Sequence, residues 1–373
     1  PPHREQKNTN AKTKEVFAVR QVETLIFVKF MRQLSPQLNK IFILFNTRGY
    51  FMPCYHPLEA VILPGTTANG KKNIKILSGQ HASEVYPSWQ RLQLPCGQCI
   101  GCRLEYSRQW ANRCMLELQY HNESWFVTLT YDDDHVPRTA YAVNDDGEAA
   151  PALTLNPRDL ELFWKRLRKA HPDDHIRYFA AGEYGTTTYR PHYHAIVFGL
   201  SLNDLRPYKR SPQNYDYFIS DSLTECWGLG FVVVGSVTWE TCAYTARYIM
   251  KKLKGQDAQL YSDFNLQPEF VRMSRKPGIA RQYYDDHPDL YQFEYINLPT
   301  DVGGLKFRPP RYFDKLYDIE HPGEMAQAKA VRRRLAAAAE AAKDANTTLD
   351  RYERLAVEEN ALTERIKSLE RKL

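Results

Sequence analysis

Arg190-Pro191-His192-Tyr193-His194-Ala195-Ile196-Val197-Phe198 reads as a buried strand that opens on two histidines. Side chains on a strand alternate faces, so His192 and His194 point one way and Tyr193 the other. The apolar, β-prone residues 195–198 set both imidazoles on a rigid element, where ligand geometry is best held. The pair is a two-toothed clamp for a metal. Its plain alternative is two polar residues on a half-buried face.

The preceding stretch, Ile176-Arg177-Tyr178-Phe179-Ala180-Ala181-Gly182-Glu183-Tyr184-Gly185, is a second strand, joined to the first through the turn-rich residues 186–191. A hairpin of this form brings Glu183 opposite the histidines. Two imidazoles and one carboxylate suit Mn²⁺ or Mg²⁺ and would also accept Zn²⁺. Alone, Glu183 reads as an exposed carboxylate at a strand end. Further on, Cys242-Ala243-Tyr244-Thr245-Ala246-Arg247-Tyr248-Ile249-Met250-Lys251-Lys252-Leu253-Lys254-Gly255 predicts a helix stopped by glycine. Tyr244 and Tyr248 lie one above the other on one face, with Lys251 or Lys252 a turn later. Such pairs usually pack. Beside a metal clamp they become nucleophiles, because a phenol of pKa about 10 needs a cation or base to act as phenolate.

The Pro-His-Tyr-His strand, the glutamate one strand earlier and Tyr-x-x-x-Tyr-x-x-Lys on a later helix resemble the HUH endonucleases that initiate rolling-circle replication. Trp125-Phe126-Val127-Thr128-Leu129-Thr130-Tyr131 resembles that superfamily's first motif, a strand of Phe-x-Thr-Leu-Thr type. The two tyrosines, with Met52-Pro53-Cys54-Tyr55-His56-Pro57 and Pro95-Cys96-Gly97-Gln98-Cys99-Ile100-Gly101-Cys102-Arg103, resemble the initiators of gokushovirus-like microviruses. The resemblance covers about residues 52–311. It implies metal-dependent nicking and joining of single-stranded DNA at a phage origin. His192, His194 and Glu183 would hold Mg²⁺ or Mn²⁺, Tyr244 and Tyr248 would alternate as nucleophiles, and Lys251 would stabilise charge. It also implies a host polymerase and helicase as partners in the host bacterial cytoplasm. No phosphate loop of Gly-x-x-x-x-Gly-Lys-Ser/Thr type is present to drive unwinding from within. Two other readings remain open: a single-tyrosine relaxase or transposase of the same superfamily, and a non-catalytic origin-binding protein with structural histidines.

The order of elements predicts an α+β, ferredoxin-like βαββαβ core over 124–255: strands at 125–131, 176–183, 192–200 and 231–237, helices at 156–169, 222–227 and 239–254. Helices are expected on one sheet face, with the other open for a single DNA strand. Asn156-Pro157 is a helix opening, an N-cap followed by proline. Asp132-Asp133-Asp134 reads as a solvated turn. Arg190, Arg247, Lys252 and Lys254 are candidate DNA contacts, and Lys165, Arg166, Arg168 and Lys169 add basic charge. Tyr178, Tyr184, Tyr189 and Tyr193 offer faces on which bases could stack.

Outside that core, residues 1–51 precede the resemblance and are expected to be an upstream extension without a native role. Their apolar runs at 24–28 and 41–45 fall far short of the ~20 residues a membrane span needs. Residues 52–123 form a Cys-rich segment with a helix over 103–120. Cys96, Cys99 and Cys102 repeat every third residue, as thiolates converging on structural Zn²⁺ would, with a fourth ligand from Cys54, His56, Cys114 or His121. The alternatives are a packed turn of small residues or, less well matched, an iron–sulfur cluster. Residues 256–320 read as a basic, tyrosine-rich accessory segment whose loop at 274–280 approaches DNA. Residues 321–373 read as one long helix. There Leu355, Leu362, Ile366, Leu369 and Leu373 trace a coiled-coil seam broken by Glu359, suited to a homo-oligomer or simply to a solvated helix.

The 373 residues are 43% hydrophobic, enough for a sizeable core and two or so domains. A net charge of +6 is compatible with DNA without arguing for it. Seven cysteines, three of them clustered, fit no even disulfide framework and predict a reducing compartment.

Overall fold

The computed structural model describes residues 54–67, 72–77, 91–139, 151–185, 188–210, 215–247, 252–253, 258–300 and 303–370. The expectation for residues 1–51 lies outside them. Strands β1 (Leu58–Thr66), β2 (Lys72–Ile76) and β3 (Arg91–Leu94) form a small antiparallel sheet in the order β2-β1-β3. Helix α1 (Ile100–Leu118) leads from it to β4 (Ser124–Tyr131). Helix α2 (Pro157–Ala170) joins β4 to β5 (Arg177–Tyr184), which turns into β6 (Pro191–Phe198). A hairpin of β7 (Arg206–Arg210) and β8 (Asp216–Ile219), then α3 (Asp221–Trp227), lead to β9 (Gly230–Ser236) and α4 (Trp239–Arg247). Then come α5 (Gln259–Asp263), β10 (Phe270–Met273), α6 (Arg281–Asp286), the pair β11 (Ile296–Thr300) and β12 (Gly303–Phe307), and helices α7 (Arg311–Glu320), α8 (Pro322–Asp344) and α9 (Arg351–Glu370).

The class is α+β, as expected. The main sheet is antiparallel and seven-stranded, ordered β10-β5-β6-β4-β9-β8-β7. The β7–β8 hairpin and β10 extend the four anticipated strands at either edge; both are too short to stand out as periodic runs. Helix α2 begins as its sequence dictates, Asn156 accepting from the Arg158 N–H with Pro157 in the first turn. Its stripe of Leu160, Phe163, Trp164 and Leu167 is buried against Val127, Leu129, Ala195 and Val197, together with Trp227 of α3. Gly230 is where β9 crosses β4: its φ is +145°, and a Cβ there would stand 2.3 Å from the Thr130 carbonyl oxygen.

Several expectations are corrected. The second sheet face is not open. Phe126, Phe179, Ala181, Ile196 and Phe198 point to it and are covered by α1 and α4, through Ala111, Cys114, Leu116, Trp239, Cys242 and Tyr244. Such a large apolar surface on the sheet needs a cover, and the Cys-rich segment supplies it through α1. Tyr193 does not offer a face for bases. It is fully buried on the α2 side, its hydroxyl donating to the Asn156 carbonyl at 2.8 Å and sharing a 2.9 Å bond with Tyr131. Tyr178 stacks on Trp164 at 4.0 Å, and the Tyr184 hydroxyl donates to the Gln267 carbonyl, so only Tyr189 of the four is well exposed. Three of the four α2 cations are engaged within the protein: Arg166 donates to the Cys226 and Trp227 carbonyls, Arg168 to that of Ile176, and Lys165 pairs with Glu161, while Lys169 is exposed. Asp133 and Asp134 do lie in a turn, and Asp132 just before it accepts from the His135 N–H.

The single long helix over 321–373 is also corrected, to a hairpin of α8 and α9. Asp350 and Glu353 build a capping box at the start of α9: Asp350 accepts from the Tyr352 and Glu353 N–H groups, and Glu353 accepts from that of Asp350. Arg354 then pins α9 to α8 by donating to Glu340 and Asp344. The seam faces inward, Leu355 and Leu362 packing on Tyr55, Cys99 and Ile100, while the apparent interruption, Glu359, meets His56 at 2.5 Å. The side chains of Ile366 and Leu369, and Leu373 itself, lie outside the described residues. Among the described residues no helix is long and apolar enough to cross a membrane.

Glu117, near the end of α1, is the polar link between α1, β5 and the segment before α6. It is 4% exposed and accepts from Arg177, His121 and the Ala280 N–H. Burial would raise its carboxyl, but His121, the Ala280 N–H and Arg177 outweigh burial and hold it below the ordinary 4.5. Glu117→Gln should cost about 2–3 kcal/mol in urea unfolding at pH 7. Because the folded-state pKa is depressed, this stabilisation is full above about pH 4.3 and fades as pH falls below it, so the gap between wild type and variant should narrow there.

Candidate metal centre and tyrosine helix

The pairing of β5 with β6 sets Glu183 opposite His192 and Ala181 opposite His194, and β4 sets Thr128 opposite His194. These side chains all point to the α1/α4 face. Glu183 Oε1 lies 2.7 Å from His192 Nε2 and 3.3 Å from His194 Nε2. Glu183 and His194 are fully buried; His192 keeps 13% of its side chain exposed and is the way in. The other ring nitrogens are engaged behind. His192 Nδ1 is 3.1 Å from the Arg190 carbonyl, to which it can only donate, and His194 Nδ1 is 3.0 Å from Thr128 Oγ1. Both Nε2 atoms are thus turned toward the carboxylate, the arrangement of histidines oriented from behind for a metal.

A buried carboxylate requires positive charge. Burial would raise Glu183, but the charge of His192 and hydrogen bonds from both histidines outweigh it and hold the carboxyl at about 2. Three donor atoms, two imidazole nitrogens and one carboxylate oxygen, lie within 4.8 Å of one another. The set fits one divalent cation and leaves positions for water or phosphate oxygens. It does not discriminate among Mg²⁺, Mn²⁺ and Zn²⁺.

Helix α4 lays Tyr244 over this group. The Tyr244 ring stands edge-on to His194, with centroids 5.2 Å apart, and to Phe126 at 6.3 Å, while Phe126 stacks on His194 at 5.5 Å. α4 is held by α1: Ser107 donates to the Ala243 carbonyl at 2.6 Å and the Trp239 indole to Asn112 at 2.9 Å. Tyr244 is 5% exposed. Burial first, then the charge of Glu183, push its phenol well above 10, against an opposing contribution from Arg247. Tyr248, Lys251 and Lys254 lie outside the described residues. Lys252 is exposed and Arg247 half-buried. Arg190, expected at DNA, is spent within the protein, donating to the Tyr131 carbonyl at 2.9 Å and pairing with Asp133 at 2.7 Å. The loop over 274–280 is likewise fastened: Arg177 donates to the Pro277 carbonyl and Arg113 to that of Ile279, which is buried with Ala280. Sequence reading missed Thr128; its signal is the motif strand itself, once that strand is registered against His194.

Residues 124–253 match the family model described as replication-associated protein ORF2/G2P. The chain is 35% identical over 236 residues to replication-associated protein ORF2 of Spiroplasma virus 4, covering 62% of this chain and 69% of that protein. The chain belongs to the phage replication-associated proteins. It is also 29% identical over 279 residues to replication-associated protein VP4 of Bdellovibrio phage phiMH2K, covering 73% of this chain and 79% of the relative. A third relative, replication-associated protein ORF4 of Chlamydia phage 1, is 29% identical over 235 residues, 60% of this chain and 53% of that one. No solved structure matches. The resemblance to phage rolling-circle initiators, read from the motifs, is thereby met. The family match encloses the strand bearing the histidines, Glu183 and both tyrosines.

Thr128→Val keeps the shape of a side chain that is 1% exposed and removes the oxygen behind His194. Mn²⁺ affinity, read by calorimetric titration, should fall by about 10- to 100-fold with the folded fraction unchanged. Unaltered affinity would show that His194 needs no such support.

Proposed function

We propose that this protein initiates phage DNA replication by metal-dependent nicking and rejoining of single-stranded DNA through a 5′-phosphotyrosine. The observation that carries the reading is the edge-on packing of Tyr244 against His194, one of a cluster of two imidazoles and a buried carboxylate. The order of the central strands, β5-β6-β4-β9, supports the ferredoxin-like HUH core expected from the motifs. Glu183, His192 and His194 would hold Mg²⁺ or Mn²⁺. A cation bound there supplies Lewis acidity at phosphate oxygens and offsets the Glu183 charge that disfavours a Tyr244 phenolate.

In this reading Tyr244 or Tyr248 attacks the scissile phosphorus in line. A bond forms between the phenolic oxygen and the 5′ phosphate, the bond to the 3′ oxygen breaks, and that oxygen takes up a proton. The bond energy stays in the phosphotyrosine, so rejoining needs no nucleotide cofactor. The free 3′ hydroxyl serves a host polymerase, and a host helicase opens the duplex in the host cell. The second tyrosine cuts the regenerated origin, and the 3′ hydroxyl released by that second cut attacks the initial phosphotyrosine, closing a circle and freeing the first tyrosine. Lys251, one turn beyond Tyr248 in helical register, would stabilise the phenolate or phosphate charge. Arg247, Lys252 and Lys254 are the remaining candidate backbone contacts. Burial of Tyr244 requires α4 to shift or a DNA strand to enter beside the partly exposed His192 before attack.

Labelled single-stranded DNA spanning the phage origin, incubated with the protein and run on a denaturing gel, tests this. A labelled protein band should form with Mn²⁺, vanish with EDTA, persist in Tyr244→Phe and Tyr248→Phe singly, and be lost in the double variant. Loss in one single variant alone would indicate a one-tyrosine enzyme. DNA binding without any adduct would leave an origin-binding protein.

A further inference from the structure

The second group of metal-type side chains lies at the head of α1. Cys54 precedes β1, Cys96 and Cys99 sit in the turn after β3, and Cys102 is in the first turn of α1. All seven cysteines, these four included, are free thiols. The four Sγ atoms lie within 4.8 Å of one another, with Cys96–Cys102 and Cys54–Cys99 each at 4.0 Å. A tetrahedral centre with Zn–S bonds of about 2.3 Å has sulfur–sulfur edges of about 3.8 Å. The spacing suits one ion rather than a multi-iron cluster, whose thiolates are spread around its outside.

The backbone around the sulfurs is arranged for charge. Cys96 Sγ accepts from the Gln98 N–H at 3.3 Å and the Cys99 N–H at 3.2 Å, Cys54 Sγ from the Cys96 N–H at 3.2 Å, and Cys99 Sγ from those of Tyr55 and Cys102. Gly97, with φ of +72°, makes the turn that lets these N–H groups converge. Cys99 is also the N-cap of α1, where the helix end favours an anion. Four uncharged thiols would gain little from this; thiolates sharing a dication would be stabilised by every one of these bonds.

We propose that Cys54, Cys96, Cys99 and Cys102 bind a structural Zn²⁺ that fastens the start of β1, the head of α1 and the terminal helix α9 into one unit. The other sequence candidates for the fourth ligand are committed elsewhere: His56 to Glu359, His121 to Glu117, and Cys114 to the buried α1/α4 contact. Leu355 of α9 packs on Cys99, and Leu362 on the rim of the group. Further down, α1 holds α4 through Ser107 and Asn112. The centre thus sets the origin of the helix on which the tyrosine helix rests, and it stands whether or not the nicking reading holds.

The test is metal analysis of the full-length reduced protein, joined to mass-spectrometric thiol alkylation with and without a strong chelator. About one equivalent of zinc should remain in wild type and in the His192→Ala/His194→Ala variant, and be lost in Cys54→Ser and Cys99→Ser. In wild type, the chelator should expose Cys54, Cys96, Cys99 and Cys102 to alkylation at least tenfold faster, while the buried Cys114 and Cys242 stay protected and report an intact core. That wild-type measurement does not depend on any variant folding. Zinc absent even after its addition, equal alkylation with and without chelator, zinc lost with the two histidines, or iron in its place would each overturn the assignment.

Discussion

A carboxylate removed from water must be met by positive charge or by donors, and Glu183 meets that requirement in the middle of a sheet. Its partners come from the neighbouring strand, its register is fixed by the β5–β6 pairing, and its depressed carboxyl keeps it ionised. A one-residue slip of β6 would turn both histidines toward α2 and leave the carboxylate uncompensated. The register is defended by what lies around it: Ile196 and Phe198 extend the histidine face into one core, Tyr193, Ala195 and Val197 fill the other.

Those two cores explain why the site is a buried cluster rather than an open platform. The α2/α3 side is a sheet-and-helix layer in which Tyr193 is bound to the N-cap of α2. The α1/α4 side is built from segments outside the central strands, and it carries the tyrosine. Residues that look basic or aromatic in sequence therefore divide by face. Arg166 and Arg168 hold carbonyls on the first side, while Arg177 joins Glu117 on the second.

Helix α1 is the common support. Its N-cap and first turn carry one each of the four clustered thiols, its middle holds α4, and its end carries Glu117. The terminal hairpin returns to its head, where Leu355 and Glu359 meet Cys99 and His56. Leu355 and Leu362 of the heptad-like series thus serve a contact within the chain.

Local chemistry was legible in the sequence. Period-two alternation around His192 and His194, the Asn156-Pro157 helix start and the Glu183 hairpin each depend on residues a few positions apart, so backbone geometry alone relates them. The capping box at Asp350 was equally local and was there to be read. What depends on residues far apart in the chain was not legible. The choice of Cys54 as fourth thiol, the use of α1 to cover the histidine face, the inward turn of Leu355 and the engagement of Arg190 by Tyr131 and Asp133 follow from which surfaces remain to be buried once the sheet has formed. Burial is a property of the assembled layers, and a pattern of apolar residues states that a face must be covered without stating by what.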